Sequence, residues 1–370
     1  MHSALREGFG RRLVLAATVA LAAASCTASV DRGRGAAAEP ARAAAPARFV
    51  GGAGVTADYQ ALVDEAHAKF AGVRDGKNAD YIPILATIPS ELFGVAIATR
   101  DGDLYVSGDV DYRFSIQSVS KPFTAALVMQ QHGTPEVIAE KIGVEPTGLP
   151  FNSKLALEIY KAKSVNPLVN AGAIAAVSLV KAKNEKDRYA QVLVNLEGFA
   201  GDPKLPLLEK VYDSEYSTAF GNRGIANLLY NSERLYAEPE EALRVYTKQC
   251  SIGINTRDLA MMGATLANGG VNPKTGQRML DEDMVPELLA IMLTAGFYDE
   301  SGRWSFDAGL PAKTGVGGGI VAVVPGKLAI AAFSPRLNEA GNSVRAQLAI
   351  KHIAQRLGAG IFGANPEAAR

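Results

Sequence analysis

Phe114-Ser115-Ile116-Gln117-Ser118-Val119-Ser120-Lys121-Pro122 holds a serine, a lysine three residues later and a proline directly after it. Proline is accepted only in the first turn of a helix, where backbone N–H groups have no intrahelical acceptor. The helix predicted over Val119–His132 therefore begins close to Ser118. Ser118 then stands at the positive end of the helix dipole, and the i,i+3 spacing puts Lys121 on the same face. A lysine so placed can take a serine proton when burial or a nearby cation lowers its pKa from about 10.4. A second Ser-x-x-Lys, Ser178–Lys181, falls in the middle of a predicted helix and reads as packing or solvent-facing.

Other ways of activating a nucleophile are missing. His67, His132 and His352 lie on predicted helices with no carboxylate or cysteine at metal-ligand spacing, and there is no His-Glu-x-x-His zinc pattern. Nor is there a Gly-x-Ser-x-Gly elbow, so a hydrolytic serine here would use a base other than histidine. Lys313-Thr314-Gly315 matches the Lys-Thr-Gly that accompanies Ser-x-x-Lys in penicillin-recognising enzymes, and Lys313 is a candidate second cation beside Lys121. Val316-Gly317-Gly318-Gly319 follows, and glycines there let a strand edge approach a substrate with a backbone N–H facing a developing oxyanion. A second Lys-Thr-Gly, Lys274–Gly276, lies in a turn-like stretch without such a run.

Around these motifs the chain alternates predictably. Strands are predicted at Phe93–Thr99 and Asp103–Ser107, about the turn Arg100-Asp101-Gly102, and again at Gly319–Val324 and Lys327–Phe333, about Pro325-Gly326. Between them helical spacing covers Leu155–Ala162, Gly172–Ala182, Arg188–Phe199, Tyr216–Leu229, Pro239–Gln249 and Thr256–Ala267. Helices at Thr56–Val73 and Ser343–Leu357 flank the whole. The expected architecture is α/β: an antiparallel sheet built from both ends of the folded region, with flanking helices and a helical subdomain inserted at about 135–298. A cleft between sheet and insert is the expected place for a site.

Composition limits the partners. The 370 residues are 48% hydrophobic and carry 38 Lys+Arg against 38 Asp+Glu, which excludes a disordered chain and argues against nucleic acid as a partner. Residues 1–25 read as an export signal, with Arg6, Arg11 and Arg12 ahead of the apolar Leu13–Ala24. That run is shorter than the roughly 20 residues of a spanning helix. Cys26 follows small residues as in a lipobox and is a candidate for lipidation. The expected address is therefore outside the cytoplasm, either periplasmic or as a membrane-anchored lipoprotein. Residues 26–54 read as an Ala/Pro/Arg-rich tether, 55–358 as one domain and 359–370 as a flexible tail. The remaining cysteine, Cys250, has no partner in the chain with which to staple the fold.

Taken in order, the segments resemble the serine-dependent, β-lactamase-like glutaminases. The resemblance is carried by Phe114–Lys121, by Asn166-Pro167-Leu168-Val169-Asn170-Ala171-Gly172-Ala173-Ile174 and by Tyr246 with Gln249-Cys250-Ser251-Ile252. Gly296-Phe297-Tyr298, Gly315–Ile320 and Ala79-Asp80-Tyr81-Ile82-Pro83 also match. It implies a β-lactamase/transpeptidase-like fold and hydrolysis of L-glutamine to L-glutamate and ammonia through a glutamyl-serine ester. No metal or organic cofactor is implied. Ser118 would be the nucleophile and Lys121 its base, with Tyr246 or Tyr298 assisting proton movement. The substrate pocket would comprise Tyr81, Ser118, Asn170, Glu215, Asn222, Tyr246, Tyr298 and Val316, with the backbone N–H groups of Ser118 and Val316 as oxyanion hole and Lys313 and Gly315 in support. A homodimer or homotetramer is implied, and membrane contact only through a lipid anchor.

Glutamine's ammonium needs an acidic acceptor, which Glu215 supplies, and its carboxylate and amide need neutral donors such as Asn and Tyr. Glu215 and Asn222 are seven apart, a spacing of two helical turns that could put them on the same face. On the residues alone, Asn170 also reads as a helix cap, Tyr246 and Tyr298 as half-buried aromatics, and Glu215 as a solvated helix residue. Two rival readings of the whole are a β-lactamase or penicillin-binding protein, and a non-catalytic amino-acid-binding lipoprotein. The first lacks a Glu-x-x-Leu-Asn deacylation element, and the second leaves Ser118 and Lys121 without a purpose.

Overall fold

The computed structural model describes residues 58–159 and 164–363. The expected export signal, the tether and Cys26 lie outside the described residues, as does the end of the expected tail.

The chain opens with α1 (Tyr59–Phe70), capped by Asp58, whose carboxylate accepts from the Ala61 N–H. A hairpin follows, β1 (Gly94–Thr99) and β2 (Leu104–Gly108), and then the two-residue β3 (Phe114–Ser115). The helical insert runs through α2 (Lys121–His132), α3 (Glu136–Lys141), α4 (Leu155–Ile159), α5 (Asn170–Leu179), α6 (Glu185–Ala200), α7 (Glu209–Ser217), α8 (Phe220–Asn231) and α9 (Pro239–Cys250). After β4 (Gly253–Ile254) come α10 (Thr256–Ala267), α11 (Val285–Ala295) and α12 (Ser301–Asp307). The chain then returns to the sheet as β5 (Ala312–Thr314), β6 (Gly319–Val324) and β7 (Leu328–Phe333), and α13 (Val344–Leu357) completes it.

The five-stranded antiparallel sheet has the order β2-β1-β7-β6-β5, so strands from the two ends of the domain meet along β1 and β7, with Ala96 opposite Ala331 and Ile97 opposite Ile330. Every residue of β1, β6 and β7 is buried, which is why these strands read as unbroken apolar runs. Period-2 alternation divides them between two cores. Ile97, Ile320 and Ile330 pack with Val63 of α1 and Ile350 of α13, whereas Ala96, Val321 and Ala331 pack with Leu259 of α10 and the insert.

Within the insert, α5 is buried from Asn170 to Ser178 and has no polar face, as befits a helix surrounded by others. The β3–β4 pair, with Phe114 opposite Ile254, anchors the start of α2 to the sheet, because the Phe114 ring stacks on Phe333 with centroids 4.1 Å apart.

Two expectations are revised. The single helix expected over Tyr216–Leu229 is two helices, broken at Thr218 and Ala219. The Thr218 hydroxyl donates to the carbonyls of Ser214 and Glu215, which offers the backbone a local alternative to a continued helix. Glu215 and Asn222 therefore sit on different helices, not on one face. In the expected tail, Ala359–Gly363 is tied back to the domain, with the Ile361 N–H donating to Gly309 O at 2.9 Å.

Candidate active site

Ser118 lies in a single 3-10 turn, Gln117–Ser120, that leads into α2, with Pro122 in the first α-helical turn as its missing N–H requires. Ser118, Asn170, Glu215, Asn222, Tyr246, Val316 and Tyr81 line one cavity of about 250 Å³. Six separate segments of the chain supply them, with Glu215 and Asn222 on the same one. Tyr81 is half-exposed at its edge, whereas Ser118, Asn170, Glu215, Tyr246 and Val316 are buried. Tyr298 is buried close by, its ring packed on Phe151 at 4.7 Å and its hydroxyl directed at Thr314 O at 3.4 Å.

Lys121 is fully buried, and its Nζ donates to Asn170 Oδ1 at 2.7 Å. The Tyr246 hydroxyl donates to the same oxygen at 3.2 Å, and Asn170 Nδ2 donates to Asn222 Oδ1 at 2.9 Å. Asn170 is thus the hub of the polar lining. It does not cap α5, whose N-cap is Val169.

Burial lowers the Lys121 pKa to about 8, against the opposing pull of Cys250 and Glu215. A lysine in that range is neutral often enough to accept a proton near neutral pH. Burial raises Glu215 to about 7, with the Gln117 hydrogen bond and Lys121 opposing. Tyr246 and Tyr298 are raised by burial and remain protonated donors.

Lys313 is fully buried and interacts with Lys121. Burial, and then Lys121, drive its own pKa well below the usual lysine value. Burial alone accounts for the depression of Lys121. Lys313 Nζ donates to Gly296 O at 3.1 Å and Thr314 O at 2.7 Å and stands 4.1 Å from the Tyr298 ring centroid. It supports Tyr298, which has a left-handed backbone at φ 58°.

Gly315 and Gly317 bring the loop after β5 against the nucleophile turn. A Cβ at Gly317 would lie 2.3 Å from Ser115 O, so only glycine fits. Among the described residues the Val316 N–H meets no acceptor, which leaves it free for a ligand.

Two residues of the site escape a reading of the sequence. Gln117, at φ 49°, donates from Nε2 to Glu215 Oε2 at 3.0 Å across 98 residues of chain. Cys250, one helical turn beyond Tyr246, is a buried free thiol on which the pocket residues Glu215 and Tyr246, and also Lys121, act. The i,i+4 spacing from Tyr246 was its available signal. The decoys are structural: Ser178 Oγ donates to Ala175 O, and Lys274 Nζ to Gly201 O. The described histidines also have other partners, His67 stacking on Phe93, His132 meeting Leu179 O and His352 meeting Glu65.

Residues 76–362 match the family model described as Glutaminase. The chain belongs to the glutaminase family. A glutaminase of Colwellia psychrerythraea strain 34H is 53% identical over 303 residues, which is 82% of this chain and 97% of the relative. Glutaminase 1 of Escherichia coli strain K12 is 50% identical over the same shares. Among solved structures, a probable glutaminase, ybaS, superposes with a TM-score of 0.80 at 50% identity, covering 82% of this chain and 98% of that one. A probable glutaminase from Bacillus subtilis, complexed with 6-diazo-5-oxo-L-norleucine, gives 0.72 at 30% identity, covering 82% and 96%. The fold of this glutaminase is accordingly β-lactamase-like, and the enzyme hydrolyses L-glutamine as an amidohydrolase.

Proposed function

We propose that this glutaminase works through a glutamyl-Ser118 ester, with Lys121 as the base. The carrying observation is that a fully buried lysine, with a pKa near 8, stands one turn from a serine at the helix start on the wall of the pocket. Ser118 Oγ attacks the carboxamide carbon and its proton passes to Lys121. The oxyanion that forms is held by the N–H groups of Ser118 and Val316. Lys121 then returns the proton to the departing nitrogen, the C–N bond breaks and ammonia leaves. Water, deprotonated by Lys121, attacks the ester carbonyl, the bond to Ser118 Oγ breaks, Lys121 returns the proton to Ser118 and glutamate leaves. Tyr246 and Tyr298, both protonated, assist by hydrogen bonding to the lysine network and the serine.

Substrate recognition follows from charge. Glu215 receives the α-ammonium, oriented by Gln117, while Asn170, Asn222, Tyr246 and Tyr81 meet the carboxylate and amide. Ser118→Ala is expected to lower ammonia release from glutamine at least a thousandfold with the fold intact. Full activity in that variant would discard the ester mechanism.

The same reading extends to assembly and address. A homodimer or homotetramer is supported by the exposed apolar side chains Phe220, Leu228 and Tyr230 on α8, and sedimentation of the purified chain tests it. Export, with lipidation at Cys26, is supported by the basic and apolar character of residues 1–25. Cell fractionation of the wild type and Cys26→Ser distinguishes the anchored from the periplasmic form.

A further inference from the structure

The turn that carries Ser118 contains a side-chain relay that the reaction itself does not use. Gln117 is held in the left-handed region at φ 49°, sparsely populated for any residue with a Cβ, so something must stabilise it. Three buried polar side chains stand behind it, outside the pocket lining. Thr124 Oγ1 donates to Gln249 Oε1 at 2.7 Å, Gln249 Nε2 donates to Ser120 Oγ at 2.9 Å, and Ser120 Oγ donates to Gln117 O at 2.6 Å.

The directions in this relay are forced. With Oε1 occupied by the Thr124 hydroxyl, the Gln249 amide presents its N–H to Ser120. Ser120 Oγ receives there, and its single proton goes to Gln117 O. That carbonyl belongs to the same planar, trans peptide group as the Ser118 N–H. Fixing the direction of one fixes the other, pointing the opposite way. A carbonyl that accepts a strong hydrogen bond also makes the N–H of its own peptide a better donor.

We infer that Gln249 is a positioning residue which, through Ser120, sets and polarises the Ser118 N–H that receives the oxyanion. The inference rests on the proposed ester mechanism. Its thermodynamic signature is a loss in the transition state rather than in substrate binding, since the developing oxyanion is what the N–H meets.

The test compares Ser120→Ala, Gln249→Met and the double variant with the wild type by steady-state kinetics on glutamine. Ser120→Ala is expected to lower kcat about 10- to 100-fold with KM within about threefold, less than the roughly 100- to 1,000-fold of removing an oxyanion donor outright, because the Ser118 N–H itself remains. Gln249→Met is expected to lower kcat less, and to have no further effect in the Ser120→Ala background, because it acts through that hydroxyl. A Ser120→Ala enzyme with kcat within twofold of wild type overturns the inference, as do losses that simply add in the double variant. If Gln249→Met fails to fold, Ser120→Ala alone decides, since it removes one oxygen. Ser118→Ala is measured alongside: activity surviving there refutes the ester mechanism, whereas an inactive Ser118→Ala beside a fully active Ser120→Ala refutes only the relay.

Discussion

The most informative single residue is Glu215, because the charge that the proposed recognition of the ammonium requires is resisted by burial. Burial raises it to about 7, while Lys121 is lowered to about 8. In the proposed mechanism binding needs the first ionised and proton abstraction needs the second neutral, so kcat/KM is expected to fall as pH drops from 9 to 6, with the slope of its logarithm approaching two. In Glu215→Gln one of those ionisations is gone and Lys121 loses a group that raised its pKa. The slope is then expected to fall to one and the limb to move to lower pH, with a higher KM.

The same substitution also affects stability. A carboxyl whose pKa is raised on folding binds more protons folded than unfolded between about 4.5 and 7, so stability falls with rising pH across that window. Glu215→Gln is expected to remove this fall and to raise stability at pH 8 by roughly 1–3 kcal/mol, read from urea unfolding. A variant no more stable than wild type at pH 8 would contradict that expectation. Ser118, Lys121 and Asn170 were legible in the sequence as neighbours in one pocket because local spacing or a family segment marks them. Gln117 and Cys250 were not, because their contacts depend on a positive φ and on partners far along the chain.

At the scale of elements, the reading succeeded where one periodicity held for the whole segment. Thr256–Ala267 and Gly319–Val324 agree with their predicted bounds. It merged α7 with α8 because Thr218 breaks the helix by a side-chain hydrogen bond that leaves no mark on the hydrophobic pattern. Short β3, β4 and β5 were also unseen, since two or three residues cannot show alternation. Gly263 on α10 separates propensity from packing. Alanine there would favour an isolated helix by about 1 kcal/mol. In place, its Cβ would lie 2.6 Å from both Ala329 Cβ and Val321 Cγ2, on the two strands beneath. Neither strand has room to yield, being buried on both faces. Gly263→Ala is therefore expected to destabilise by about 1–3 kcal/mol, the typical cost of overpacking. Thermal unfolding reads the sign directly, and a raised Tm would mean that α10 can lift from the sheet.

Across the whole molecule, the sheet joins the two ends of the domain, and its central strand β7 is among the last elements synthesised. The hairpin β1–β2 therefore waits for about 220 residues of chain before its partner arrives, a long loop to close. Arg345 on α13 secures that closure. It is 1% exposed, donates from Nε to Ser334 Oγ just after β7, and spreads its remaining N–H groups over the carbonyls of Ala71, Ser90, Glu91 and Leu92 from the N-terminal segment. A planar cation with five donors suits this cluster of acceptors, where lysine would reach fewer of them. Arg345→Met keeps much of the volume but leaves several carbonyls without a partner, each a penalty of about 1 kcal/mol or more. The variant is expected to lose about 3–5 kcal/mol in urea unfolding, with the m-value unchanged, and to retain wild-type kcat at temperatures where it stays folded, since none of these groups lines the pocket. A stability loss below 1 kcal/mol would show that the two ends are held by the β1–β7 ladder alone. A fall in kcat at full folding would show instead that the closure reaches the nucleophile turn through Phe333 and Phe114.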